Sequence, residues 1–262
     1  MNPVLSVKVY FDLSCPWCYI GKKQLEAALS QLRKRRPEVV QTVEWFPYLL
    51  IPHMPVAGLP YREFMVRRLG GEAAVGMLHA RIRTMAREAG LCLALDRIEV
   101  VPSTLLAHRM VGYSRQSAGA KAASAMIDEL FARYFVSAED IGEGEVVRQA
   151  ALACGIGLPA PGSSAAESWV DVLPPLWVPG EPVPPTGIGV PHFVLNGKTR
   201  IAGVRPVATL LQAMGREIDR VPAGSSRRGA DTSPAPEYSA PGGRAEAANS
   251  KEPGCGRLKI RC

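Results

Sequence analysis

The stretch "VLSVKVYFDLSCPWCYIGKKQLEAALSQLRKRRP", residues 4–37, limits the fold more than any other part of the chain. Leu5, Val7, Val9 and Phe11 alternate with their neighbours, which is the period-two pattern of a strand over 4–11. After Cys15 the period becomes helical, with Leu25, Ala28, Leu29 and Leu32 on one stripe and Pro37 as the stop. "VVQTVEWF", Val39 to Phe46, is β-rich and reads as a second strand. Strand, helix and strand in this order make a βαβ unit with parallel strands. Cys15 and Cys18 fall at the point where the first strand hands over to the helix.

A CxxC pair has three readings. A zinc site needs four ligands, and this is the chain's single CxxC; His53, His79, His108 and His192 have no ligand spacing to one another. Two buried thiols on a helix form a structural pair. The redox reading accounts for more of the residues. Pro16 suits the first helical turn, where its missing N–H costs nothing. Cys15 then sits at the helix N-terminus, where free N–H groups and the dipole favour a thiolate. Cys18 lies one turn further in, less exposed and able to attack a mixed disulfide on Cys15. Cys15 is therefore expected as the exposed nucleophile and Cys18 as the resolving thiol. CxxC beside a βαβ pattern supports that chemistry, and no metal or organic cofactor is expected.

The rest of the chain divides by pattern. Helical periodicity dominates from Tyr61 to Cys154, with one helix expected over 61–90 and Ser103 as the N-cap of the next. Another helix is expected over 118–136, and a last one carries Val147, Ala150, Ala151 and Cys154 before Gly155. Residues 172–191 contain seven prolines and cannot form a regular helix. "HFVLNGKTRIAG" reads as two strands joined at Asn196-Gly197, the strongest hairpin signal in the chain. A helix over "VRPVATLLQAMGREI" follows. The expected division is 1–60 and 171–219 as two parts of one α/β domain, 61–170 as a helical insertion, and 220–262 as a disordered tail.

At this point the sequence resembles a known family. "FDLSCPWCYIGKK", "WFPYLLIP", "PSTLLAHRM", "LFARYFVSAEDIGE" and "GVPHFVLNGKTRIAGVRP" are similar to the DsbA-like thioredoxin-fold family, in particular its FrnE branch. The resemblance implies a thioredoxin fold, a mixed central sheet interrupted by an all-helical domain. It also implies thiol–disulfide oxidoreductase or isomerase activity. By position, Cys15 would be the nucleophile, Cys18 the resolving thiol and Pro191 the cis-proline. Val190, just before it, would meet the substrate backbone. The broader family includes kappa-class glutathione transferases and 2-hydroxychromene-2-carboxylate isomerases, which carry serine at the nucleophile position. The FrnE branch usually has a helix where the Pro-rich stretch 172–191 stands here.

Other residues carry two readings each. Asp12 either tunes the thiols and shuttles a proton, or caps the loop and faces water. Trp17 either offers an exposed aromatic surface to unfolded substrate or packs on the helical block; with Pro16 it tunes the redox potential. His108 reads as a satisfied structural histidine, with a cleft-lining role as the alternative. His192 follows Pro191 and has an active-site role as its sharper reading. Cys154 and Cys92 read as inert thiols in apolar surroundings. Cys255 and Cys262 flank Arg257, Lys259 and Arg261, so a tail dithiol that exchanges with Cys15–Cys18 is one reading and a solvated tail the other.

Charge excludes little by itself. The net charge is +7, but residues 220–262 hold eight Lys/Arg and four Asp/Glu, so the body carries only about +3. No groove-reading motif accompanies it, and no nucleic-acid partner is expected. No signal peptide and no span of about 18 apolar residues is evident, so the expected address is the cytoplasm without a membrane partner. The expected partners are protein disulfides and a thioredoxin- or glutathione-type reductant, with glutathione as an alternative co-substrate. Two rival functions stand beside this: a glutathione-dependent isomerase or transferase of small aromatic substrates, and a non-catalytic binding protein.

Overall fold

The computed structural model describes residues 2–158, 169–171, 173–176 and 187–220. The expected tail dithiol of Cys255 and Cys262 and the expected disorder beyond Arg220 lie outside these residues, as does much of the Pro-rich stretch.

Strand β1 (Val4–Phe11) runs into helix α1 (Pro16–Arg35), which returns to β2 (Val40–Pro47). β1 and β2 pair in parallel, Val4 opposite Val40 through Phe11 opposite Pro47. The chain then leaves the sheet for α2 (Tyr61–Leu69), α3 (Glu72–Glu88), α4 (Leu105–Ala132) and α5 (Gly144–Ala153). Two short strands, β3 (Leu59–Pro60) and β4 (Val100–Val101), pair antiparallel at the base of this block. The sheet resumes with β5 (His192–Leu195) and β6 (Thr199–Ala202), and α6 (Val207–Asp219) closes the described chain. The main sheet has the order β2-β1-β5-β6, with β5 antiparallel to both neighbours. This is a mixed-sheet α/β fold of the thioredoxin type with helices packed on it.

The hairpin forms where Asn196-Gly197 predicts it. Both residues have positive φ, 47° and 70°, and the Lys198 N–H donates to the Leu195 carbonyl across the turn at 2.9 Å. The apolar stripe of α1 is equally direct: Leu25, Ala28, Leu29 and Leu32 pack on Val7, Val9, Phe193 and Leu195, with Leu210, Met214 and Ile218 of α6 alongside. A second core joins the CxxC end of α1 to the helical block through Tyr19, Phe131 and Phe135. Tyr19 stacks on Phe131 at 4.9 Å between ring centres.

Two helix boundaries differ from expectation. The single helix expected over 61–90 is two, because Gly70 (φ 89°) and Gly71 (φ 149°) take backbone conformations that a helix cannot continue through. The N-cap before α4 is Thr104 rather than Ser103, and its side chain makes no capping bond. Gly119 (φ 83°, ψ −179°) interrupts α4 at the join expected between two helices.

Candidate active site

Cys15 is the N-cap of α1, with extended backbone, and Pro16 follows at the first helical position. The Cys15 carbonyl accepts the Cys18 N–H at 3.0 Å and opens the helix. The helix is 20 residues long, so its N-terminal dipole acts on a sulfur placed there. Both cysteines are free thiols. Cys15 is 4% exposed and Cys18 1%, so the order of exposure is as expected but the nucleophile candidate is itself nearly covered. It is covered because Val190 lies over it: the Cys15 thiol donates to the Val190 carbonyl at 3.9 Å. The Val190–Pro191 peptide is cis.

Burial pushes the Cys18 thiol well above its usual value, and the adjacent Cys15 sulfur and the Asp12 carboxylate add to this. Cys18 is therefore held in its thiol form at neutral pH.

Asp12 is 1% exposed, which excludes the water-facing reading. Its carboxylate accepts the Ser14 N–H at 3.0 Å on one oxygen and the Leu50 N–H at 2.6 Å on the other. It thus ties the CxxC loop to the loop after β2. Burial alone would raise its pKa. His108 and the two N–H donors outweigh that and hold the carboxyl below its usual value. His108 Nε2 lies 3.7 Å from Asp12 Oδ1, beyond hydrogen-bond reach, and has no hydrogen-bond partner. The satisfied structural histidine expected at 108 is therefore corrected. The ring packs edge-on against Phe11 at 5.0 Å, which fixes it beside the carboxylate without satisfying it. His108 also lines a cavity of about 130 Å³ with Trp45, Arg109 and Arg115, under residues 174–176. Arg109 donates to the carbonyls of Val170, Leu173 and Pro174 and so holds that segment against α4.

Trp17 is half-buried rather than exposed. The Arg81 guanidinium of α3 stands 5.6 Å above its ring, so the indole packs on the helical block. It also lines a small groove of about 70 Å³ with Arg81, Met85, Val190, Gly203, Val204 and Arg205. Pro16 sits beside it, half-buried. His192 is brought to the sheet but not to the thiols. Phe193 turns toward α1, so His192 points to the opposite face, where its ring lies 6.3 Å from Tyr10 and Nδ1 lacks a partner. Burial, then the charge of Arg200, lowers its pKa. Cys92 is exposed, not core, and Cys154 is half-buried.

Sequence reasoning missed three site features. Arg81 and Arg205 reach the groove from elements far apart in sequence, and no local signal marks them. Gly21 was detectable: a glycine one turn after Cys18 inside a helix is unusual without a packing reason. A Cβ there would stand 2.7 Å from Pro191 Cγ. Among the described residues, no group of three or more His, Cys, Asp or Glu is placed to hold a metal ion. No described helix is long and apolar enough to cross a membrane.

A helix-capping CxxC dithiol facing a cis-proline on a mixed sheet defines a thioredoxin-like site. The chain belongs to the DSBA-like thioredoxin domain family, whose model matches residues 6–161; members of this family are in general thiol–disulfide oxidoreductases. Among solved structures, a probable DsbA oxidoreductase from Streptomyces coelicolor is similar at TM-score 0.65 and 20% identity, covering 89% of this chain and 100% of its own. A proposed protein disulfide isomerase from Nitrosomonas europaea is similar at 0.50 and 16% identity, covering 84% and 97%. A 2-hydroxychromene-2-carboxylate isomerase is similar at 0.47 and 18% identity, covering 80% and 95%. None of the curated proteins searched matches the chain.

Proposed function

We propose that this chain is a protein thiol–disulfide oxidoreductase or isomerase of the FrnE type, working in the cytoplasm through its CPWC dithiol. The observation that carries the reading is Cys15 at the head of α1, its sulfur 3.9 Å from the carbonyl of Val190 beside cis-Pro191. Cys15 as thiolate attacks one sulfur of a substrate disulfide. The other substrate sulfur leaves as a thiolate and takes a proton. The mixed disulfide holds Cys15 to the substrate. Cys18 then gives up its proton and attacks the Cys15 sulfur, and the substrate's second sulfur leaves. The products are a Cys15–Cys18 disulfide and a substrate dithiol, two electrons richer. A thioredoxin- or glutathione-type reductant returns the pair to the dithiol, so no metal or organic cofactor takes part. In a reducing compartment the net direction is reduction or isomerisation.

The raised pKa of Cys18 supports the division of labour, because a protonated thiol waits until the mixed disulfide has formed. The test is insulin disulfide reduction with a dithiol reductant. The wild type turns over. Cys15→Ser is inactive. Cys18→Ser accumulates a covalent adduct, seen by intact mass, that reductant releases. Full activity in Cys15→Ser sinks the proposal.

A further inference from the structure

The groove beside the dithiol carries charge of one sign. Its lining includes Arg81 from α3 and Arg205 from the loop between β6 and α6, and no Asp or Glu. Trp17, Met85, Val190, Gly203 and Val204 complete the lining, and all are apolar. Arg81 is exposed and rests over the Trp17 ring, which holds its guanidinium at the rim. Arg205 is exposed as well. The turn before it is anchored, because the Gly203 N–H donates to the Pro191 carbonyl at 2.7 Å. The backbone two residues before Arg205 is therefore tied to cis-Pro191, whose neighbour Val190 lies over Cys15.

At about 70 Å³ the groove is well below the roughly 300–1,000 Å³ of pockets that enclose small molecules. A groove of that size takes a short stretch of chain rather than a whole small molecule, with Trp17 and Val190 in its lining. Guanidinium groups recognise carboxylates in the fork geometry that lysine lacks.

We propose that the preferred substrate is a protein segment whose disulfide-bonded cysteine is flanked by Asp or Glu, with Arg81 and Arg205 as the specificity-determining residues. This rests on the oxidoreductase reading. The carboxylates draw the segment into the groove and orient its sulfur toward Cys15. The charges sit at the rim, so they act on encounter and are weakened by salt.

The test uses three peptides of one length, each with a cysteine in mixed disulfide with a chromophoric aryl thiol and flanked by Asp, Asn or Lys. The rate constant for thiolate release is read with the reduced full-length protein. The expected order is Asp above Asn above Lys, with about five- to tenfold between Asp and Asn at low salt and a collapse of that ratio near 1 M salt. Arg205→Glu should bring the Lys peptide above the Asp peptide, and Arg81→Gln should shrink the ratio. Equal rates for the three peptides in the wild type overturn the inference while leaving the oxidoreductase reading intact. An order unchanged in Arg205→Glu and Arg81→Gln, or an effect of these variants on glutathione disulfide alone, also overturns it. No reaction with any peptide overturns the oxidoreductase reading itself.

Discussion

Gly21 and Pro191 are in direct apposition: a methyl group on Gly21 would stand 2.7 Å from the proline Cγ and 3.3 Å from the Phe193 ring. One turn of helix after Cys18, α1 is thus packed flat against cis-Pro191. The lack of a side chain at 21 is what lets α1 come this close.

Gly21→Ala accordingly gains helix propensity but loses more to overpacking. A net loss of about 1–3 kcal/mol is expected. Thermal unfolding measures it. Because the clash falls on Pro191, disulfide turnover should fall further than the stability change alone explains. An alanine variant as stable and active as the wild type would show that α1 and Pro191 move apart freely.

Asp12 offers a test by pH. Its folded pKa lies below the usual 3.8, so the folded state binds fewer protons than the unfolded state in that window. Its stabilising contribution is present above about pH 3.8 and is lost as pH falls through the lower folded value. Asp12→Asn should therefore flatten the acid limb of the stability curve. Asparagine must also aim its NH₂ at one of the N–H groups of Ser14 or Leu50, costing about 1–3 kcal/mol at neutral pH. The same change removes a charge that raises Cys18. In a Cys15→Ser background, Cys18 should then be alkylated at lower pH than with Asp12 present. An unchanged alkylation profile would contradict the coupling.

Lys22 is fully buried and bonds Glu26 and Asp128, the latter at 2.5 Å, while Lys23 bonds Asp128 at 2.8 Å. This network ties α1 to α4. Asp128→Ala should cost roughly 1–3 kcal/mol, since the buried ammonium then keeps Glu26 as its carboxylate partner and the Trp45 ring 5.5 Å away. Adding Lys22→Met should recover much of it, because the uncompensated charge is gone. Chemical denaturation of the three variants checks this; equal loss in single and double variants would contradict it.

The sequence makes some of these features legible and hides others, for physical reasons. The CxxC at a strand–helix junction, the α1 stripe and the Asn196-Gly197 turn are local patterns, and each appears in the fold at its expected place. The Gly70-Gly71 break is local too, but the apolar period continuing on both sides conceals it. The meeting of His108 with Asp12 depends on how α4 lies across β1, which no window of residues encodes. Burial of Lys22 is hidden similarly, since lysine at a helix surface reads as solvated until its acidic partner on α4 is known. Arg81 and Arg205 reach one groove only because the helical block and the β6–α6 loop both border Val190.

The most direct measurement is the reduction potential of the Cys15–Cys18 pair, titrated in glutathione redox buffers and followed by Trp17 fluorescence. The proposed chemistry predicts a reversible couple in which a tenfold change in equilibrium constant corresponds to about 30 mV, the signature of two electrons. Absence of a reversible couple, with both cysteines still free in strongly oxidising buffer, would contradict it.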